Sequence, residues 1–235
     1  MLKPRQDLKP NTAAYETEAL VKPTDFRDYD ARWILEKEIN LLGIQALGLG
    51  LATYVHEIGV EPRIVTGHDF RGYSLSVKQA LIIGLMQGGM EVLDVGLALS
   101  PMAYFGQFEL KAPCVAMVTA SHNENGWTGV KMGAQRPLTF GPDEMGRLKE
   151  IVLSGGWTER PGGSLTHVEG VAERYIADVA ARVKVGRPLK VIAACGNGTA
   201  GAFAPEALRR MGVAEVIEMD CTLDYTFPRY NPNPE

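Results

Sequence analysis

The sequence predicts an α/β fold: a parallel or mixed sheet sandwiched by helices, followed by the beginning of a second, similar α/β unit. Two patterns carry this. Short apolar runs such as "PRIVTG" (62–67) and "CVAMVTA" (114–120) alternate with longer stretches whose apolar residues recur every three or four positions. The polar, Pro- and Gly-containing run "WTERPGGS" (157–164) then interrupts the alternation, which resumes after it as one βαβ unit.

Taken in order, residues 1–25 read as a polar N-terminal arm and 26–33, "FRDYDARW", as a polar and aromatic turn. A helix is predicted from about Glu36 to Glu57, with Ile44, Leu47, Leu51 and Val55 on one face. Gly43, Gly48 and Gly50 weaken that helix, and close packing against a sheet is the expected reason for them. Strand 62–67 leads to a helix over 75–88, strand 90–96, and a helix over 100–110 with Ser100 as its N-cap. Strand 114–120 precedes "GVKMG" (129–133), and a helix over 143–153 ends at the glycine pair 155–156. The second unit has a helix at 171–183, strand 189–196, a glycine-rich turn, helix 204–211 and strand 214–220. The expected organisation is an arm (1–25), a first domain (26–156) and a partial second domain (165–235). A lone βαβ leaves much of its sheet unpaired, so the sequence reads as cut short.

Composition narrows the functional classes. The chain has 235 residues, 46% apolar and 22% charged, with a net charge of −4. No long basic run is present, which argues against nucleic acid as a partner. The most apolar stretch, Leu41 to Val55, is too short to span a bilayer, and no signal peptide is visible. No membrane association is expected. Cys114, Cys195 and Cys221 form neither a disulfide framework nor a zinc pattern, consistent with a reducing cytoplasm.

Ser121 and His122 stand together after an apolar run. The pair could be a nucleophile and base, a phosphate carrier or a surface turn. No G-x-S-x-G elbow surrounds it, which disfavours a hydrolase triad. "TASHN" with Gly129 and Lys131, however, closely resembles the active-site motif of the α-D-phosphohexomutases, the family of phosphoglucomutase, phosphomannomutase and phosphoglucosamine mutase. Four further stretches match in order: "FRDYDARW", "GHDFRGYS", "CGNGTAG" and "DYTFPRYNPNP". The resemblance runs from about residue 26 to the end and is nearest in wording to bacterial phosphoglucomutase/phosphomannomutase.

The resemblance implies an isomerase acting on hexose phosphates, with glucose 1,6-bisphosphate as activator. Ser121 carries a phosphoryl group, gives it to the free hydroxyl of a sugar monophosphate, and recovers the other phosphate from the 1,6-bisphosphate. Mg2+ is expected, with a phosphoserine oxygen on Ser121 as one ligand. Lys131 and His122 are the expected acid/base groups. Tyr29 and Arg32 are expected to face the substrate, a guanidinium being suited to phosphate. Asn123 is expected to fix the loop, and Arg71 to buttress it. The sequence departs from the family at Trp33 and Tyr225, where glycine is usual, at Glu124 for proline and at Tyr230 for histidine. Trp33 and Glu124 are expected to alter the entrance.

A different reading rests on Gly196, Gly198 and Gly201, which fit G-x-G-x-x-G between strand and helix, with Asp220 ending the next strand. That pattern suits a nucleotide-binding module. On the mutase reading, the family's aspartate-rich metal loop lies beyond Glu235, and the chain alone is expected to be inactive.

Overall fold

A computed structural model describes residues 4–233; residues 1–3 of the arm and 234–235 of the second domain lie outside them. The elements in chain order are α1 (Ala13–Thr17), β1 (Ala31–Ile34), α2 (Leu41–Glu57), β2 (Arg63–His68), α3 (Ser74–Gln87) and β3 (Glu91–Leu97). There follow α4 (Ser100–Glu109), β4 (Cys114–Val118), β5 (Trp127–Gly133), α5 (Pro142–Ser154) and β6 (Ser164–His167). The last are α6 (Val171–Arg182), β7 (Lys190–Ala194), α7 (Ala204–Arg210) and β8 (Glu215–Met219).

Six strands form one mixed sheet in the order β1-β5-β4-β2-β3-β6, and β7 and β8 pair in a separate parallel sheet. The three pairings β4–β2, β2–β3 and β3–β6 are parallel; β1–β5 and β5–β4 are antiparallel. Adjacent strand residues face opposite layers. Ile64 and Ala116 join α2, α3 and α5 in one core, while Val65, Val115 and Met117 join α4 and Ile176 of α6 in the other. The sandwiched α/β fold expected from the sequence is present.

Several local expectations are corrected. The polar turn at 26–33 contains β1: Trp33 is fully buried, donates its Nε1–H to the Lys22 carbonyl at 3.0 Å, and meets Phe26 edge-on. Trp33 therefore supports the core and does not shape the entrance. The described part of the arm is docked, with Leu20 and Val21 buried. Asn40 caps α2 through Gly43 N–H and staples the arm, accepting from Leu20 N–H and donating to the carbonyls of Tyr15 and Glu18. The cap of α4 is Leu99, with Ser100 already inside the helix.

The nearest neighbours of the α2 glycines are not the sheet, as expected, but the arm, α3 and α5. A Cβ on Gly48 would overlap the Leu81 carbonyl of α3, one on Gly43 the Leu20 carbonyl of the arm, and one on Gly50 would meet Val152 of α5 at 2.5 Å. In return, a Cβ on Gly84 of α3 would overlap the Gln45 carbonyl. We expect Gly84→Ala to lose about 1–3 kcal/mol of stability through overpacking. Gly146→Ala, exposed on α5 with nothing within 4 Å, should instead gain roughly 0.5–1 kcal/mol from helix propensity. Urea melts of the two variants check this, and equal stabilities would refute the close crossing.

The boundary expected at 165 falls inside β6. Residues 164–167 extend the first sheet beside β3, in register from Glu91↔Ser164 to Asp94↔His167, and so cover its otherwise open edge. The helix that follows, α6, also packs on the first unit: Tyr175 meets Phe105 of α4 edge-on at 5.6 Å, and Arg174 pairs with Glu109.

Candidate active site

A cleft of about 790 Å3 opens where the carboxyl ends of β2 and β4 face those of β7 and β8. Ser121, His122, Phe70 and Arg71 line one wall; Gly198 and Asp220 line the other. Open α/β sheets place ligands at this end, outside the carboxyl edge of parallel strands.

Ser121 owes its position to a turn immediately after β4. Its backbone is left-handed, φ 55°, which is unusual for a residue with a side chain. Its N–H donates to Thr119 Oγ1 at 2.9 Å, and that hydroxyl donates to Asp69 Oδ2, also at 2.9 Å. Asp69 is 3% exposed and further accepts from Ser74 Oγ at 2.5 Å and from the Arg71 backbone N–H at 3.2 Å. It also pairs with the Arg71 guanidinium. This guanidinium, itself buried, donates through Nη2 to the carbonyls of Ser121 at 3.3 Å and Asn123 at 2.6 Å.

A second buried arginine braces the loop from β1. Arg32 Nη1 donates to Asn123 Oδ1 at 2.6 Å and to the Ala120 carbonyl at 3.5 Å, while Asp30 holds its Nε and Nη2. Gly129 lies opposite Arg32 in the sheet, and a Cβ there would come 2.5 Å from the Ala31 carbonyl. The loop is thus a fixed platform that leaves the Ser121 and His122 side chains exposed. Two buried, paired cations lie beneath it.

The expected site residues fall in different places. Ser121 and His122 stand in the cleft, while Arg32 and Asn123 form the platform. Lys131 lies on β5 opposite Met117, on the sheet face that turns Met117 to the cleft, and no carboxylate pairs with it among the described residues. Tyr29 is 68% exposed and is not part of the cleft wall. Arg71 buttresses the loop, as expected from "GHDFRGYS". Sequence reasoning missed Asp69, Ser74 and Thr119, although two of them stand in that motif and Thr119 in "TASHN". No local signal marks them as buried, because a carboxylate or hydroxyl in a turn reads the same whether it is solvated or enclosed.

The glycine turn lines the same cleft but differs from a dinucleotide cradle. Gly196 and Asn197 are both left-handed, and a short 3-10 turn, Thr199–Ala202, separates them from α7. A Cβ on Gly201 would overlap the Cys221 carbonyl, so this glycine serves packing. The first amides of α7 thus come three residues after the last glycine, away from the turn that would hold a pyrophosphate.

No group of three His, Cys, Asp or Glu able to hold a metal occurs among the described residues. Both oxygens of Asp69, the carboxylate bonded beneath the serine loop, are taken by Arg71, Ser74 and Thr119. The described residues do not assemble a Mg2+ site around Ser121. Among the described residues no helix is long and apolar enough to cross a membrane.

Sheet order and serine loop together define an α/β/α domain built to present one hydroxyl. Residues 23–159 match the family described as phosphoglucomutase/phosphomannomutase, alpha/beta/alpha domain I, and residues 168–235 match domain II of the same family. The chain belongs to the phosphoglucomutase/phosphomannomutase family. It is 32% identical over 216 residues to a phosphomannomutase/phosphoglucomutase of Pseudomonas syringae pv. tomato, covering 92% of this chain and 45% of that protein. A probable phosphoglucosamine mutase of Methanobrevibacter smithii is 29% identical over 191 residues, 80% of this chain and 42% of that one. The crystal structure of a phosphoglucomutase/phosphomannomutase family protein from Burkholderia thailandensis superposes with a TM-score of 0.83 at 26% identity, over 92% of this chain and 48% of the other. The chain spans about half the length of the curated relatives it matches.

Proposed function

We propose that this chain is the phosphoryl-carrying portion of a phosphohexomutase that interconverts hexose 1-phosphate and hexose 6-phosphate. The observation that carries the reading is the exposed Ser121 in a strained turn at the cleft, its loop carbonyls held by Arg71 and Arg32. In this reading the Ser121 Oγ–P bond breaks as the free hydroxyl of the hexose monophosphate attacks phosphorus. The hydroxyl proton leaves to a base and the alkoxide of Ser121 is protonated, giving a 1,6-bisphosphate. The reverse transfer takes the other phosphate back to Ser121.

His122 and Lys131 are the proposed acid and base; exposed Tyr29 is the proposed substrate contact, and Arg32, buried beneath the loop, positions Ser121 instead of touching substrate. Mg2+ would neutralise charge on the transferring group. Ser121 is its only ligand in this proposal among the described residues, so no step is derived through the ion. A hexose phosphate as substrate is supported by the names of the relatives, glucose 1,6-bisphosphate as activator by the motif resemblance, and reaction in the cytoplasm by the composition.

An intact mass of the purified chain after incubation with glucose 1,6-bisphosphate tests the carrier role. We expect a gain of about 80 Da, one phosphoryl group. The 235-residue chain is expected to show a flat trace in a coupled mutase assay, because substrate positioning and charge stabilisation each contribute several kcal/mol in such enzymes and it spans only about half of its relatives. Turnover near that of a full-length mutase, lost on Ser121→Ala, would overturn that expectation.

Phosphorylation brings close to two negative charges to the loop. Hydrogen exchange over residues 117–133 should therefore slow in the phosphorylated chain, as Lys131 and the ring of His122, neither paired with a carboxylate among the described residues, gain a partner. Unchanged or faster exchange would count against it.

A further inference from the structure

We infer that Phe227, in the second unit, is a positioning residue for the serine loop and acts through Arg71; the inference rests on the reading of Ser121 as phosphoryl carrier. The Arg71 guanidinium has Asp69 on one side and the Phe227 ring on another, its Cζ 5.6 Å from the ring centroid. Nη1 is spent on Asp69 and Nη2 on the carbonyls of Ser121 and Asn123. Nε is buried and has no acceptor among the described residues. The negative face of an aromatic ring is the remaining electrostatic partner of such a cation.

Phe227 is held where it is at some cost. Its φ of 50° is left-handed, an outlier for a bulky side chain, and such outliers persist only where surroundings over-determine them. Here its N–H donates to the Asp224 carbonyl at 3.1 Å, and the Asp224 N–H donates to the Asn197 carbonyl at 3.0 Å, in the turn after β7. The ring also meets Phe70 edge-on, with centroids 5.8 Å apart. Beside it, Tyr225 lies flush on Gly72, where an added Cβ would meet the ring at 3.1–3.3 Å. A continuous path therefore runs from the Asn197 turn through Asp224, Phe227 and Arg71 to the loop carbonyls. The second unit sets the serine loop, and the loop is fully ordered only when that unit is docked.

The 235-residue chain itself supplies the test. In its NMR spectrum the Arg71 side-chain protons should show an upfield ring-current shift. Phe227→Leu, which shares the backbone strain and keeps an apolar side chain, should abolish the shift, and Phe227→Tyr should retain it. The Ser121 and Asn123 amides, bonded to Thr119 Oγ1 and the Ala120 carbonyl, should exchange about tenfold faster in Phe227→Leu and at the parent rate in Phe227→Tyr. Phosphoryl uptake from glucose 1,6-bisphosphate should fall in the leucine variant and recover in the tyrosine one. Arg71 protons without a ring shift in the parent chain overturn the inference, whatever the variants' folding, as does equal exchange in all three chains. No uptake by the parent, with shift and exchange as expected, strikes the carrier reading alone and upholds the positioning of the loop.

Discussion

Ser121→Ala should leave the chain folded and take phosphoryl uptake to zero. The Ser121 side chain is exposed and makes no hydrogen bond among the described residues; the loop is held by its backbone groups, through Thr119 and Arg71. Alanine keeps all of those bonds and bears the left-handed φ about as well as serine. The melting point should therefore move by no more than an exposed substitution usually moves it, within about 0.5 kcal/mol. Incubated with glucose 1,6-bisphosphate and examined by peptide mass mapping, the parent chain should carry the label on the peptide containing residue 121 and the variant none. Full labelling of the alanine variant at another residue would remove Ser121 from the carrier role.

Asp69→Ala should be among the most damaging single substitutions outside the apolar core. The carboxylate is buried and is the common acceptor for the Arg71 guanidinium, Ser74 Oγ and Thr119 Oγ1. Removing it strands a buried cation, for which the usual loss is about 3–5 kcal/mol, and leaves two hydroxyls without an acceptor. For a chain of this size each kcal/mol is worth roughly 2–4 °C in melting temperature, so a fall of about 10 °C is expected. Asp69→Asn keeps the shape and one acceptor oxygen and should fall between the two. The loop consequence is separate: Thr119 loses its anchor, so the Ser121 amide should exchange faster even at temperatures where Asp69→Ala remains folded. A melt within about 1 kcal/mol of the parent would show that the network is not what holds the loop.

Much of the fold was legible because helix and strand periodicities are local. The ranges of α2, α3, α4 and α5 and of β2, β3 and β4 were predicted within a few residues. Strand β1 was missed because only four residues, Ala31–Ile34, form it, and polar Arg32 interrupts its apolar pattern. β6 was missed for a like reason: Leu165 and Thr166 alone, between Ser164 and His167, are too short a strand signal, and only the open edge of β3 makes them one. At the site, Ser121, His122, Asn123, Arg32 and Arg71 were recognisable from motif wording. The hub, Asp69, was not, since a carboxylate in a turn looks the same from sequence whether solvated or buried.

What the sequence determined by itself was most of the succession of helices and strands, the family and the identity of the exposed serine, because each depends on patterns that are local in the chain. Only the tertiary structure decided that β5 returns antiparallel between β1 and β4, that Gly48 and Gly84 let the backbones of α2 and α3 approach, and that Phe227 covers Arg71. Those choices join residues distant along the chain. They are settled by which surfaces exclude water and which buried polar groups find partners, and no local pattern records either.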